Sequence, residues 1–100
     1  MHILVINFNL EGLAHAQYAE ACDELAPTFA AIPGLISKYW LANEENNTYG
    51  GVYVWSDRQA MLDYKASEIF SQVANNPAFT NVTATDFAVL AGPSKVTGVG

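Results

Sequence analysis

The chain has 100 residues, of which 51% are hydrophobic and 14% charged, and its formal net charge is −6. This length and composition suit one globular domain, so we expect a single domain over residues 1–100. The four scattered basic side chains and the acidity argue against nucleic acid and against an anionic membrane as partners. Neither a membrane-spanning run nor a signal-peptide pattern is evident, and the single cysteine agrees with a reducing compartment, so we expect a cytoplasmic protein.

The first predicted element is a strand over His2–Asn9, which is apolar on both alternating sets of positions. The period then changes to that of a helix over Ala14–Ile32. Its apolar stripe consists of Tyr18, Cys22, Leu25, Phe29 and Ile32. Pro27 removes a backbone donor within this helix, so we expect a kink there or a restart of the helix. Pro33 and Gly34 end the helix.

The middle of the chain predicts a hairpin. Leu35–Ala42 and Tyr49–Trp55 are strand-like, and the residues between them, Asn43–Thr48, are polar and turn-rich. Gly50 and Gly51 do not form a phosphate loop, because the glycines lead into a strand instead of a helix. We interpret this glycine pair as a place where two backbones approach closely.

One helix and one strand complete the pattern. Ser56, with Gln59 three residues later, has the spacing of a capping box and predicts the start of a second helix. The run at positions 75–77 (NNP) ends that helix, and Val82–Leu90 is a fourth strand. The Gly-, Pro- and Ser-containing tail from Ala91 to Gly100 is expected to be loose or bound by a partner.

The predicted order β-α-β-β-α-β indicates an α+β, ferredoxin-like fold with a four-stranded antiparallel sheet and both helices on one face. The helices can cover only that face. In the second strand, however, Ile36 and Trp40 on one face alternate with Tyr39 and Leu41 on the other, and the third and fourth strands are also apolar on both sides. Since monomers rarely expose so large an apolar area, we expect a homodimer that buries the second face.

The residues that could support chemistry are few. The two histidines, His2 and His15, lie on different elements without further ligands at suitable spacing, so no metal site is expected. Cys22 falls in the predicted core stripe, where a buried, inert thiol is usual. Asn7, Lys38 and Asp86 interrupt strands that are otherwise apolar. Each has an ordinary structural explanation, but with the aromatic residues these polar groups fit a mostly apolar pocket for a small molecule.

A more specific pattern runs from Pro33 to Asp57. It comprises Pro33–Gly34, then Lys38 and Trp40 in the second strand, then the run GGVYVWSD. In order and spacing, the chain resembles the YdhR-like monooxygenases, which belong to the dimeric α+β barrel superfamily together with the antibiotic-biosynthesis monooxygenases. The resemblance implies two ferredoxin-like subunits whose sheets close into a barrel, with a cavity between sheet and helices in each subunit.

The resemblance also implies a cofactor-independent monooxygenase that acts on a small aromatic or quinol-type substrate with molecular oxygen. Related haem-degrading enzymes use an asparagine on the first strand, a tryptophan in the second helix and a haem-ligating histidine. Asn7 matches the first, whereas Tyr64 and Ala74 stand at the other two positions. No side chain then remains to hold the iron, so we expect neither haem nor another cofactor.

By this analogy the candidates for catalysis, through orientation of the substrate, are Asn7, Trp40 and Tyr64. The candidates for substrate binding are Lys38, which could stabilise an anionic substrate, together with Tyr53, Trp55 and Phe70. Two other functions stay open on the same scaffold. One is a non-catalytic dimer that binds a small ligand, and the other is a cofactor-free isomerase or dehydratase.

Overall fold

Four strands and four helices follow one another along residues 1–99, the part of the chain that the computed structural model describes. In chain order they are β1 (His2–Leu10), α1 (His15–Ala30), β2 (Leu35–Asn43), β3 (Thr48–Trp55), α2 (Arg58–Lys65), α3 (Glu68–Ala74), β4 (Phe79–Ala88) and α4 (Ala91–Val96). Apart from the division of the second helix and the additional α4, this is the predicted order. The ferredoxin-like α+β fold is therefore confirmed.

The strands form one sheet in the order β2-β3-β1-β4, and every neighbouring pair is antiparallel. Only the β2–β3 connection is a hairpin. The other two connections carry helices across the sheet, which places β1 and β3 at its centre. This topology agrees with the predicted four-stranded antiparallel sheet.

The two faces of the sheet differ in burial. Leu4, Ile6 and Phe8 of β1 are 0%, 1% and 5% exposed and pack beneath the helices; we call this side the inner face. The intervening residues Ile3 and Val5 are less buried and lie on the outer face. Because paired residues of antiparallel strands share a face, the register also places these apolar residues on the outer face: Tyr39, Leu41, Val52, Val54 and Phe87.

A β-bulge in β2 changes the predicted alternation. Leu35 pairs with Trp55 and Ser37 pairs with Val54, so Ile36 between them has no partner on β3. The alternation predicts that Ile36 and Trp40 share one face. Ile36 is instead 57% exposed, so this part of the prediction is wrong. Beyond the bulge the regular alternation of faces resumes, and Lys38 and Trp40 both lie on the inner face.

The glycine pair at the start of β3 permits a close approach, as predicted. Gly50 has a φ of 150° and lies against the backbone of β1, where a Cβ atom would overlap the Ile6 carbonyl group. Gly51 has a different neighbour: a Cβ atom there would lie 2.8 Å from Cε of Lys38. The first glycine therefore serves strand pairing, and the second leaves room for the Lys38 side chain.

Helix α1 runs without interruption from His15 to Ala30 and includes Pro27. The predicted restart of the helix at Pro27 is therefore wrong. Pro27 lies within the last four residues of the helix and is exposed, as is Asp23 one turn earlier. The carbonyl group of Asp23, which loses its helical partner at Pro27, lies on this solvent-facing side and can be hydrated.

The predicted second helix is divided into α2 and α3. Its first turn is capped by Asp57, whose Oδ1 accepts a hydrogen bond from the Ala60 backbone N–H at 2.8 Å. The predicted capping box at Ser56 is therefore wrong by one residue. Ser67 separates the two helices, because its hydroxyl donates to the Tyr64 carbonyl at 2.6 Å and accepts from the Phe70 N–H at 3.3 Å.

The C-terminal part of the chain also differs from the prediction. Strand β4 begins at Phe79, three residues before the predicted start, and ends at Ala88. The expected loose tail contains the short helix α4, Ala91–Val96; Gly100, the last residue of that prediction, lies outside the described residues. No helix within residues 1–99 combines the length and the apolar character needed to cross a membrane.

A candidate substrate cavity between sheet and helices

A cavity of about 220 Å³ lies between the inner face of the sheet and helices α1 and α3. The sheet contributes Phe8, Lys38, Trp40, Tyr53 and Phe79 to its wall. The helices contribute mainly apolar groups, and two amides are added by Gln72 of α3 and by Asn76 in the connection from α3 to β4. An apolar cavity of about 150 Å³ is sufficient to hold benzene. This cavity is therefore large enough for a substituted single aromatic ring.

The helical wall is built by the α1 stripe that the sequence pattern had identified as core. Four of its five residues line the cavity: Tyr18, Cys22, Leu25 and Phe29. Tyr18 and Phe29 are buried, whereas Leu25 is 48% exposed and marks where the cavity opens to solvent. Burial raises the pKa of the Cys22 thiol and, together with a hydrogen bond to Cys22, that of Tyr18. Both groups are therefore neutral near pH 7.

Lys38 is the basic group of this cavity. Its Nζ lies 3.2 Å from the centre of the Trp40 ring, 3.8 Å from that of Phe29 and 4.6 Å from that of Tyr53. The ion pair found within residues 1–99 joins His2 to Asp86, so no described carboxylate neutralises Lys38. Aromatic faces thus replace the carboxylate that usually accompanies a buried ammonium group.

The protonation of Lys38 follows from this environment. Burial disfavours the charged amine and lowers the pKa of Lys38 to about 7. The negatively polarised ring faces act in the opposite direction, because they attract the ammonium form. At neutral pH the side chain therefore interconverts between ammonium and free amine. A free amine can accept a proton or attack a carbonyl carbon, which an ordinary surface lysine rarely does.

Three predicted site residues lie behind the cavity wall. The Tyr53 hydroxyl is 3.3 Å from that of Tyr64, and the Trp55 ring stacks parallel to Tyr53 at 6.0 Å. Phe70 meets Tyr64 edge-to-face at 5.6 Å. Of these four residues only Tyr53 lines the cavity, and Tyr64 also borders a second groove of about 320 Å³. Tyr64, Trp55 and Phe70 therefore lie behind the wall, and their predicted roles toward a substrate stay untested predictions.

Asn7 is separated from the other predicted site residues. It pairs with Gly50 on β3 and Thr83 on β4, on the outer face of the sheet. Its Nδ2 donates a hydrogen bond to the Tyr49 carbonyl at 3.4 Å. The structure thus brings together Lys38, Trp40 and Tyr53, and it places Asn7 across the sheet from them. A role for Asn7 in this cavity stays an untested prediction.

The sequence pattern missed Phe29 and Cys22 as cavity residues. Both were assigned to the helix stripe, and that stripe is real, but its spacing cannot distinguish contact with a packed core from contact with an empty space. His2 of β1 and Asp86 of the neighbouring strand β4 form a pair at 2.7 Å, and neither lines the cavity. No cluster of three or more potential metal ligands occurs within residues 1–99.

Solved structures with the same fold include three from bacteria. A variant of SnoaB, a cofactor-independent oxygenase from Streptomyces nogalater, is 23% identical, covers 89% of this chain and 92% of its own, and has a TM-score of 0.69. The haem degrader MhuD from Mycobacterium tuberculosis is 16% identical, with coverage of 90% and 96% and a TM-score of 0.71. NE2512 from Nitrosomonas europaea, a protein of unknown function, is 16% identical, with coverage of 90% and 89% and a TM-score of 0.73.

The haem bound by MhuD does not suit the residues of this chain. The position that resembles the haem-ligating histidine is Ala74, which offers no ligand. Neither histidine of the chain lines the cavity. The structural likeness to MhuD therefore extends to the fold but not to a haem site.

Sequence comparison identifies the family. A search of curated proteins finds no significant match to this chain. In contrast, the family model described as "Putative mono-oxygenase ydhR" matches residues 3–99, which is nearly the whole chain and includes every residue of the cavity wall. This protein therefore belongs to the ydhR mono-oxygenase family and has the fold of the antibiotic-biosynthesis monooxygenases.

Proposed function

We propose that the protein is a cofactor-independent monooxygenase that oxidises a small phenol or quinol in the cavity beside Lys38. The observation that supports this most directly is the amine of Lys38, surrounded by the rings of Phe29, Trp40 and Tyr53 without a described counter-ion. Such a site offers a base and aromatic contacts to one substrate. SnoaB, which shares the fold, is a cofactor-independent oxygenase.

The proposed first step is proton transfer. The free amine of Lys38 accepts the hydroxyl proton of a bound phenol, and the resulting ammonium ion stays beside the phenolate it has created. Trp40 and Tyr53 orient the ring by stacking, and the largely apolar wall limits water at the reacting carbon. Lys38 thus acts as base and then as electrostatic partner, which extends its predicted role toward an anionic substrate.

The second step uses oxygen. The electron-rich ring carbon of the phenolate adds O₂ and forms a peroxide, which collapses by losing water. In sum, a phenol and O₂ give a quinone and water. One oxygen atom enters the ring, the other leaves in water with the two hydrogens lost by the substrate, and four electrons pass from the phenol to O₂. No external reductant is required.

Oxygen uptake tests this proposal. With a panel of one- and two-ring phenols and quinols, we expect protein-dependent O₂ consumption with at least one member, and ¹⁸O₂ should place one labelled atom in the quinone. Lys38→Met should lower kcat/KM roughly 100-fold or more, whereas Lys95→Met, an exposed lysine on α4, should not change it. Uptake no faster than in buffer across the panel would contradict the proposal and favour a non-catalytic binding protein.

The same assay has an expected pH dependence. Since the free amine is the active form, kcat/KM should rise as the pH passes the pKa of Lys38, about 7, and then level off. The other titratable groups in the wall, Tyr18, Cys22 and Tyr53, have raised pKa values because of burial, so they do not titrate in this range. Lys38→Met should remove the step.

The protein is further proposed to work as a homodimer through the outer face of the sheet. Tyr39 and Phe87 on this face are 67% and 52% exposed. The neighbouring outer-face positions of β1, β2 and β3 are apolar or uncharged within residues 1–99. Exposure of such an apolar face to water is unfavourable in free energy. The same face of a second copy of the chain can cover it.

Sedimentation velocity tests the dimer. At micromolar concentration the wild-type chain should sediment as a dimer that buries more than about 1,200 Å² in total. Tyr39→Glu should shift it to monomer, because each interface would then bury two carboxylates without partners. Glu45→Gln, in the exposed β2–β3 hairpin, is the control and should stay dimeric. A monomeric wild-type protein would exclude this assembly.

A further inference from the structure

The Lys38 amine is positioned by its surroundings before any ligand binds. Its stem crosses Gly51, where a Cβ atom would lie 2.8 Å from Cε of Lys38 and 3.1 Å from Cε1 of Tyr53. The stem is thus held between strand and ring, and Nζ projects over Trp40 and Phe29. No side-chain hydrogen bond or ion pair within residues 1–99 has to be broken for this nitrogen to react.

The cavity that contains the Lys38 side chain can admit a small organic molecule. Its volume of about 220 Å³ exceeds the roughly 150 Å³ that accommodates benzene. It reaches solvent beside the half-exposed Leu25. A small aromatic carbonyl compound can therefore enter and place its ring against the apolar lining of the cavity, within which Lys38 also lies.

The aromatic surroundings also select which covalent product of an amine is favoured. Attack on carbon dioxide would give a carbamate, an anion that the negative ring faces repel. Attack on an aldehyde or ketone gives an imine, whose protonated form is a cation and keeps the contacts now made by the ammonium group. The three rings at 3.2, 3.8 and 4.6 Å therefore favour carbonyl compounds over carbon dioxide.

We propose that Lys38 is a nucleophile that captures small aromatic aldehydes and ketones as an imine in this cavity. Nζ attacks the carbonyl carbon to form a carbinolamine. A proton from solvent converts its hydroxyl group to water, which leaves as the C=N bond forms. No electrons are exchanged, and hydrolysis reverses the reaction. This capture requires no oxygen and is independent of the proposed oxygenase activity.

Reductive trapping tests the inference. The whole wild-type chain is incubated anaerobically with benzaldehyde and cyanoborohydride near pH 7, and each benzylated residue is then located by peptide mass spectrometry. Because burial lowers the pKa of Lys38 to about 7, a far larger fraction of this amine is free than at an ordinary lysine. We expect labelling at Lys38 roughly 100-fold faster than at the exposed Lys95.

Internal comparison makes the outcome independent of mutant folding, since Lys38, Lys65, Lys95 and the N-terminal amine react in the same tube. Lys38→Arg keeps a cation but offers no comparable nucleophile. Total labelling of this variant should therefore fall to the amount contributed by Lys65, Lys95 and the N-terminal amine. Reversible addition of Cys22 to the aldehyde leaves no reduced product and does not interfere. Equal labelling of Lys38 and Lys95 would overturn the inference. Failure of the anaerobic trapping leaves oxygen uptake unaffected, and the reverse also holds, so the two proposals fail separately.

Discussion

Replacing Lys38 with methionine should raise the free energy of unfolding by about 2–3 kcal/mol near pH 6.5, and this gain should shrink by roughly 3 kcal/mol, and so almost disappear, near pH 9.5. Methionine retains most of the apolar stem and removes an ammonium group that lacks a described counter-ion. Loss of the cation–π contacts with Trp40 and Phe29 offsets part of the gain. Urea denaturation of both proteins at the two pH values measures the effect.

The sign follows from proton binding. The pKa of Lys38 is lowered in the folded state to about 7 and returns to about 10.4 on unfolding. Between these values the unfolded chain binds more protons, so the stability contributed by Lys38 rises with pH. Below about pH 7 the full cost of the buried charge is present, and the advantage of methionine is greatest there.

Lys95→Met is the matched control, because Lys95 is exposed on α4. It should change the unfolding free energy by less than about 0.5 kcal/mol at either pH. If Lys38→Met instead lowered stability at both pH values, the lysine would be a structural element of the aromatic cluster. A functional role in the cavity would then lose its energetic argument.

Replacing Gly50 with alanine should lower the free energy of unfolding by about 3 kcal/mol or more. The added Cβ atom would overlap the Ile6 carbonyl group on the neighbouring strand β1, and the φ of 150° at Gly50 is unfavourable for any residue with a side chain. The overlapping atoms belong to the backbone of β1, which cannot move aside as a flexible side chain can. Since β1 and β3 are the central strands, the strain falls on the middle of the sheet.

Gly92→Ala provides the comparison for Gly50→Ala under the same denaturant titration. Gly92 lies in α4, and no atom of residues 1–99 lies within 4 Å of where its Cβ atom would be. Alanine there should leave stability unchanged or raise it by up to about 1 kcal/mol, because it favours the helical conformation. Similar small effects at both glycines would show that β1 and β3 can move apart, contrary to the close approach described above.

The order of the four strands along the chain, the first helix and the start of a second helical region could be predicted from local pattern alone. Alternation in His2–Asn9 and the three- and four-residue spacing from Tyr18 to Ile32 report on side-chain periodicity, which is a property of neighbouring residues. Local competition between hydrogen-bonding side chains was harder to anticipate. Ser56 and Asp57 are both suitable caps, and only the backbone geometry selects Asp57.

The candidate site was predictable in part. Lys38 is a prediction from its interruption of an apolar strand and Trp40 one from the family resemblance, and the structure places both at the cavity. Tyr64, Trp55 and Phe70 were assigned by analogy and by aromatic character. Those properties do not reveal whether a ring lines a space or supports the wall behind it, because both positions are apolar and largely buried.

The pattern of residues along the chain is enough to show that both faces of one sheet are apolar and that a lysine lies in the second strand. The contacts of this lysine, in contrast, follow from the folded structure. The bulge at Ile36 sets the phase of β2, Gly51 leaves room for the lysine stem, and α1 places Phe29 3.8 Å from Nζ. These contacts join residues far apart in the chain, and their distances depend on how closely helix and sheet pack. That packing is a property of the whole fold, which no local periodicity encodes.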